Sequence, residues 1–130
     1  MCIHHPTVLP ATLALIIYGV FGLGLFAAPA QFMTPFGAAP DPASILMSRI
    51  FGVALLSSAL IFWWIRASAL SDALIAIFRA NCIYNVGAIL LVLLAITAGT
   101  INEISWVLIV VQAVLAVGLG YYGFVATADD

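Results

Sequence analysis

Four long apolar runs decide most of what this chain can become. They cover residues 8–28, 44–65, 73–98 and 104–126, and none holds more than one charged side chain. A bilayer core of ~30 Å takes about 20 apolar residues of helix, so each run is long enough to cross. Inside hydrocarbon the backbone must satisfy its own N–H and C=O groups, which leaves helices or a closed barrel. A barrel needs alternating polarity, and these runs have none. The expected fold is all-α: a four-transmembrane-helix, up-down-up-down bundle forming one integral membrane domain over residues 1–130.

Charge supports the same setting. Soluble domains carry about a quarter charged residues, whereas this chain has 6%. Its basic residues are Arg49, Arg66 and Arg79, and its acidic ones are Asp41, Asp72, Glu103, Asp129 and Asp130. Lipid is therefore the expected partner over most of the surface. A net charge of −2 offers no basic patch, and nucleic acid is not an expected partner.

The breaks between runs fit tight connections. Pro29, Pro35, Pro40 and Pro42, with Gly37, fill residues 29–43 and forbid a continuous helix. Asp41 or Ser44 is suited to cap the second helix, Ser71 and Asp72 the third, and Asn102 with Glu103 the start of the fourth. The second and third connections are short enough to force antiparallel hairpins, which puts both termini on one side. Arg66 and Arg79 lie toward that side and Arg49 toward the other. By the positive-inside rule the termini are expected in the cytoplasm. Ala28-Pro29-Ala30 has the look of a signal-peptidase site, but MCIHHP before it lacks Lys and Arg and the apolar run is too long. Cleavage is not expected.

Polar residues inside the runs are the candidate site. Arg79 falls about 10 Å along its helix at 1.5 Å per residue, close enough to snorkel to the headgroups. Asn81 and Asn85 share a face at i and i+4, with Cys82 beside Asn85. Ser58 on the second helix, and Tyr121 and Gln112 on the fourth, fall at matching depths. An Asn85–Gln112 amide bond between helices would satisfy both groups. These residues serve either as interhelical glue or as the polar lining of a ligand pocket. Arg49 and Glu103 form a possible ion pair between the second and fourth helices. Gly19, Gly22, Gly24, Ala116, Gly118, Gly120 and Gly123 are expected to permit close helix packing, within the bundle or between copies.

Catalytic chemistry has few raw materials here. No Asp, Glu, Lys or His lies centrally in any run, which argues against a proton-coupled transporter or pump. The histidines, His4 and His5, adjoin Cys2 in the first residues; such a cluster suits copper or zinc by ligand type but makes a poor cage. No metal, cofactor or catalytic residue is expected.

The stretch SRIFGVALLSSALIFWWIR, with Arg49 at its entry, Gly52 three residues on and a tryptophan exit, resembles small four-span bacterial inner-membrane proteins of the DoxX-like kind. The upstream PAQFMTPFGAAPDP is similar to their proline-rich connection. The resemblance implies a bacterial inner-membrane location and supplies no catalytic residue. RIFGVALLSS also resembles, more faintly, the four-span scaffold protein of ergosterol synthesis, which implies a role in holding enzymes together. The expected function is a non-enzymatic scaffold or accessory subunit, associating with other membrane proteins or with itself. The alternative is a binder or carrier of a small lipophilic molecule, a quinone or lipid, in a polar pocket of the bundle. A third reading, an enzyme using Cys82 as a redox thiol, is the least favoured.

Overall fold

The computed structural model describes residues 7–126; the Cys2-His4-His5 cluster lies outside them. Among these described residues five α-helices form: α1 Val8–Ala27, α2 Pro29–Met33, α3 Pro42–Ile65, α4 Asp72–Thr97 and α5 Trp106–Gly120. A 3₁₀ turn, Glu103–Ser105, leads into α5 and a π turn, Tyr121–Val125, follows it. Four of the helical segments, Val8–Ala27, Pro42–Ile65, Asp72–Thr97 and Glu103–Val125, are long and apolar enough to cross a membrane. This is the build of a multi-pass membrane protein, and the fold is all-α as expected.

Local chemistry sets the boundaries. Pro29 cannot donate a backbone bond and disfavours helical geometry in the residue before it, so α1 stops at Ala27. The connection expected to be irregular over residues 29–43 instead begins with the one-and-a-half-turn α2 and a 3₁₀ turn, Thr34–Phe36. Asp41 caps α3: its carboxylate accepts the Ser44 N–H at 2.7 Å, and Pro42 takes the first helical position, where no N–H is needed. That backbone N–H, first among the causes, holds the Asp41 carboxyl below its ordinary value of 3.8. Ser71 caps α4 by accepting the Leu74 N–H, with Asp72 in the first turn.

Asn102 does something other than cap. It occupies the position before the Glu103 turn without a side-chain capping bond. Its Nδ2 donates to Pro35 O at 2.8 Å and its backbone N–H to Phe36 O at 2.9 Å. Gly37 makes room for this: its φ is +82°, and a Cβ there would stand 3.2 Å from Asn102 N. The first and third connections are thereby lashed together.

Two hairpins result, α1 with α3 and α4 with α5. In the first, backbones touch. A Cβ on Gly22 would lie 2.9 Å from Gly52 O, and one on Gly52 would lie 2.7 Å from Phe26 N. No side chain fits there, and this close approach is what glycine provides in lipid, where packing replaces the hydrophobic drive. In the second hairpin a Cβ on Gly120 would meet Cys82 Sγ at 3.0 Å, and one on Gly123 would meet Arg79 N at 3.1 Å. Between hairpins, by contrast, aromatic rings fill the gap. Phe62 stacks on Phe78 at 6.3 Å, Tyr84 meets Tyr18 edge-on at 6.1 Å, and Phe51 tilts against Tyr84 at 6.4 Å. Near the terminal side Pro10 of α1 approaches Gly118 of α5, 3.6 Å from where its Cβ would be.

Candidate functional site

The polar residues of the spans divide into three separate groups. Asn85 is completely buried near the middle of α4. Its Nδ2 donates to Tyr18 Oη at 2.7 Å and to the Asn81 carbonyl at 2.6 Å. Because a carbonyl only accepts, this second bond fixes which end of the amide is nitrogen. Asn85 Oδ1 is left buried without a protein partner, and so is Gln112 Oε1 on α5. The expected Asn85–Gln112 bond is therefore not made. Tyr18, reaching in from α1, takes the donor that Gln112 was expected to receive.

Arg79 belongs to the terminal end instead. Its Nε donates to Gly123 O at 2.6 Å, and its guanidinium lies 5.3 Å from the Phe124 ring. Gly123 lies in the last turn of the fourth span, where carbonyls lack helical partners and the helix dipole favours a cation. Arg66, also at this end, lies over the Trp63 ring at 3.6 Å.

The remaining expected members look after themselves. Asn81 Nδ2 donates to Ile77 O at 2.9 Å, and Ser58 Oγ donates to Ala54 O at 3.1 Å, each within its own helix. Tyr121 is exposed and packs edge-on to Tyr122. Cys82 Sγ donates to Ala116 O at 3.3 Å across the second hairpin. Arg49 and Glu103 are both exposed and make no ion pair among the described residues. At a membrane surface each solvates separately, and an exposed pair gains too little to hold two long side chains together. Of the six residues expected to share one site, only Asn85 and Gln112 lie among the unmatched polar atoms at mid-depth.

Gln112, but not Asn85, lines a cleft. A chamber of about 40 Å³ sits between all four spans, lined by Tyr18, Tyr84 and Gln112 among apolar side chains. It shares Phe21, Phe51, Tyr84, Leu108 and Gln112 with a larger cleft of about 520 Å³. The larger part is walled by Leu25, Gly87, Ala88, Leu91 and Val92 as well, and runs from mid-depth toward the Asn102 lash. It is a greasy slot with a small polar blind end. Tyr18 and Tyr84 were missed by sequence reasoning. The signal available was Tyr18 itself, the one hydroxyl-bearing aromatic of the first run and level with Asn85.

A second groove of about 610 Å³ lies between α1 and α5 on the terminal half, bordered by Leu9, Pro10 and Leu13 and by Tyr121 and Tyr122. Among the described residues no unmatched buried polar atom lines it. The other buried hydroxyls without protein partners, Thr7 and Ser105, lie at span ends. Comparison of the chain with protein-family models, with curated proteins and with solved structures finds no match.

Proposed function

We propose that this protein binds or carries a small lipophilic molecule, held in the cleft between its two hairpins. The observation that carries this reading is Gln112 Oε1, buried and unmatched in a residue shared by the small inner chamber and the apolar slot. A buried polar atom without a partner forfeits about 1–3 kcal/mol, and a mid-membrane position offers no bulk water to recover it. A guest whose polar end reaches Gln112 while its apolar body lies along Leu91 and Leu108 repairs that loss. Apolar walls with few convergent polar groups are the usual make-up of a small-molecule site. Native mass spectrometry of the protein released from nanodiscs tests it. A lipophile should be retained by the parent protein and lost from Gly87→Leu, whose side chain would project into the slot. Equal retention by both would sink the reading.

A scaffold or accessory-subunit role is the second reading. It is supported by α4, whose Ile83, Val86, Leu90 and Leu94 are exposed along much of its length, leaving a long face for lipid or another membrane protein. The proposal also places the protein in a bacterial inner membrane with both termini in the cytoplasm. Arg66 and Arg79 at the terminal end support that orientation, and fusion reporters at the two ends test it. Kinship with the DoxX-like group belongs here too, supported by the Arg49-x-x-Gly52 entry of α3.

A further inference from the structure

Resting on the cleft as a lipophile site, we infer that the cleft is filled sideways from the membrane. Its mouth is a gap between α3 and α4 flanked by Phe51 and Leu91, and its guest is a neutral molecule dissolved in the surrounding leaflet. Exposure marks the gap. Of the ten residues that line the larger part of the cleft, only Phe51 and Leu91 are exposed, at 43% and 69%. One lies on α3 and the other on α4, so the lining reaches the protein surface at this seam. Both sit at hydrocarbon depth. Phe51 is nine residues from the start of α3 and Leu91 six from the end of α4. At 1.5 Å per residue these are about 14 Å and 9 Å in from the helix ends.

The other seams do not open into the cleft. α1 and α3 are shut at the same depth by the Gly22–Gly52 approach, and α4 packs closely on α5. Where α1 faces α5, the lining side chains Phe21, Leu25 and Leu108 are half-buried. α3 and α4, although consecutive spans, meet through rings, Phe62 on Phe78 and Phe51 against Tyr84. Leu91 lies about two turns beyond Tyr84 toward the end of α4. At the membrane surface this end of the molecule is bridged by Asn102, which holds Pro35 O and Phe36 O. Phe32 of α2 also packs edge-on against Phe21 of the lining at 5.3 Å. A guest coming from water would have to part these contacts, whereas one already in hydrocarbon passes only Phe51 and Leu91. Charge then limits what enters. No Asp, Glu or Arg lines the cleft, so a charged group would give up its hydration with nothing to replace it.

The test follows exchange of a neutral probe on the full chain in nanodiscs. Protein loaded with methyl palmitate is mixed with vesicles carrying the perdeuterated ester, and native mass spectrometry reads the replacement of one by the other. Leu91→Trp narrows the gap and should slow replacement about tenfold, equivalent to about 1.4 kcal/mol on the barrier. Phe51→Trp is the second variant should the first alter the fold. Val117→Trp, at an exposed position of α5 outside this cleft, should exchange at the parent rate. So should Asn102→Ala, which removes the side-chain half of the lash. Exchange at the parent rate in both gap variants overturns the lateral mouth and leaves the cleft reading standing. Faster exchange in Asn102→Ala overturns it too, by showing entry from water. Hexadecyl sulfate, the same chain with a fixed charge, should not be retained, and its retention overturns the neutral guest. No ester retained by the parent protein overturns the cleft reading and the mouth with it.

Discussion

Asn85 Nδ2 lies 2.7 Å from Tyr18 Oη, the one side-chain-to-side-chain hydrogen bond that joins the two hairpins among the described residues. Phenylalanine at position 18 removes the acceptor and leaves one Asn85 N–H unpaired in the bundle centre. Tyr18→Phe should lower stability by roughly 0.5–2 kcal/mol, the span of interhelical polar contacts in membranes. Reversible unfolding in mixed detergent and SDS measures it. In a double-mutant cycle with Asn85→Leu the combined loss should be smaller than the sum of the two, because both changes remove the same bond. Strict additivity would show that the bond contributes nothing.

The glycines separate into those that are needed and those that are not. At Gly52 a Cβ would stand 2.7 Å from Phe26 N and 2.8 Å from Gly22 O, both backbone atoms that cannot step aside. Gly52→Ala should destabilise by about 1–3 kcal/mol, the range for overpacking. Gly19 has nothing within 4 Å of its Cβ position. Gly19→Ala should instead be neutral or stabilising by up to about 1 kcal/mol, from helix propensity alone. The same unfolding assay ranks them, and a Gly52→Ala protein as stable as the parent would refute the close crossing.

Gly87 also has open space at its Cβ position, but that space is the cleft. Gly87→Leu should fold normally and lose ligand retention, while Gly19→Ala, away from the cleft, retains it. Folding is checked by circular dichroism and retention by native mass spectrometry. Loss of ligand from both variants would point to a general effect of helix rigidity.

Arg79 supplies a complementary control. Its Nε bond to Gly123 O lies at the terminal end, away from the residues that line the cleft. Arg79→Gln should weaken the α4–α5 pairing by about 1–3 kcal/mol, as expected for a hydrogen bond from a charged donor, with ligand retention unchanged. Loss of ligand with stability intact would move the site to the arginine.

Asp41 makes stability depend on acid. Its carboxyl in the folded protein is held below 3.8 by the Ser44 N–H, so the charged form is favoured on folding. The contribution is fully present above the unfolded value of about 4 and is lost as pH falls through the lowered folded value. Thermal unfolding of the parent protein between about pH 5 and pH 2 should show a decline that Asp41→Asn lacks. Parallel curves would mean that the cap carries no charge-dependent share.

How much of this was legible in the residues follows from what each pattern encodes. Span number and class were readable because hydrocarbon leaves the backbone so few options; the Ser71 cap was readable, and Asp41 was one of two candidates, because capping is local. Depth along the axis was readable as well: Asn85 and Gln112 do lie at mid-span. Azimuth was not. A depth match cannot tell which neighbour a side chain faces, so Gln112 was paired with Asn85 and Tyr18 was passed over. Ser58 and Asn81 were misplaced for a related reason, since a hydroxyl or amide in a helix can bond its own carbonyl four residues back. Asn102 looked like a cap because its sequence position permits one; its use by a proline-rich segment some 67 residues away is written in no local pattern.

The contrast between glycine contacts within each hairpin and ring contacts between them sets where this molecule can yield. Gly22 and Gly52 lock main chain against main chain, a joint that opens only by tearing the pair apart. Tyr18 and Phe51 against Tyr84, and Phe62 against Phe78, span the other seam through side-chain torsions, which turn over far faster than helices shift. On the proposed reading, a guest molecule would be admitted by swinging a few rings, as through a bead curtain, while every helix keeps its place.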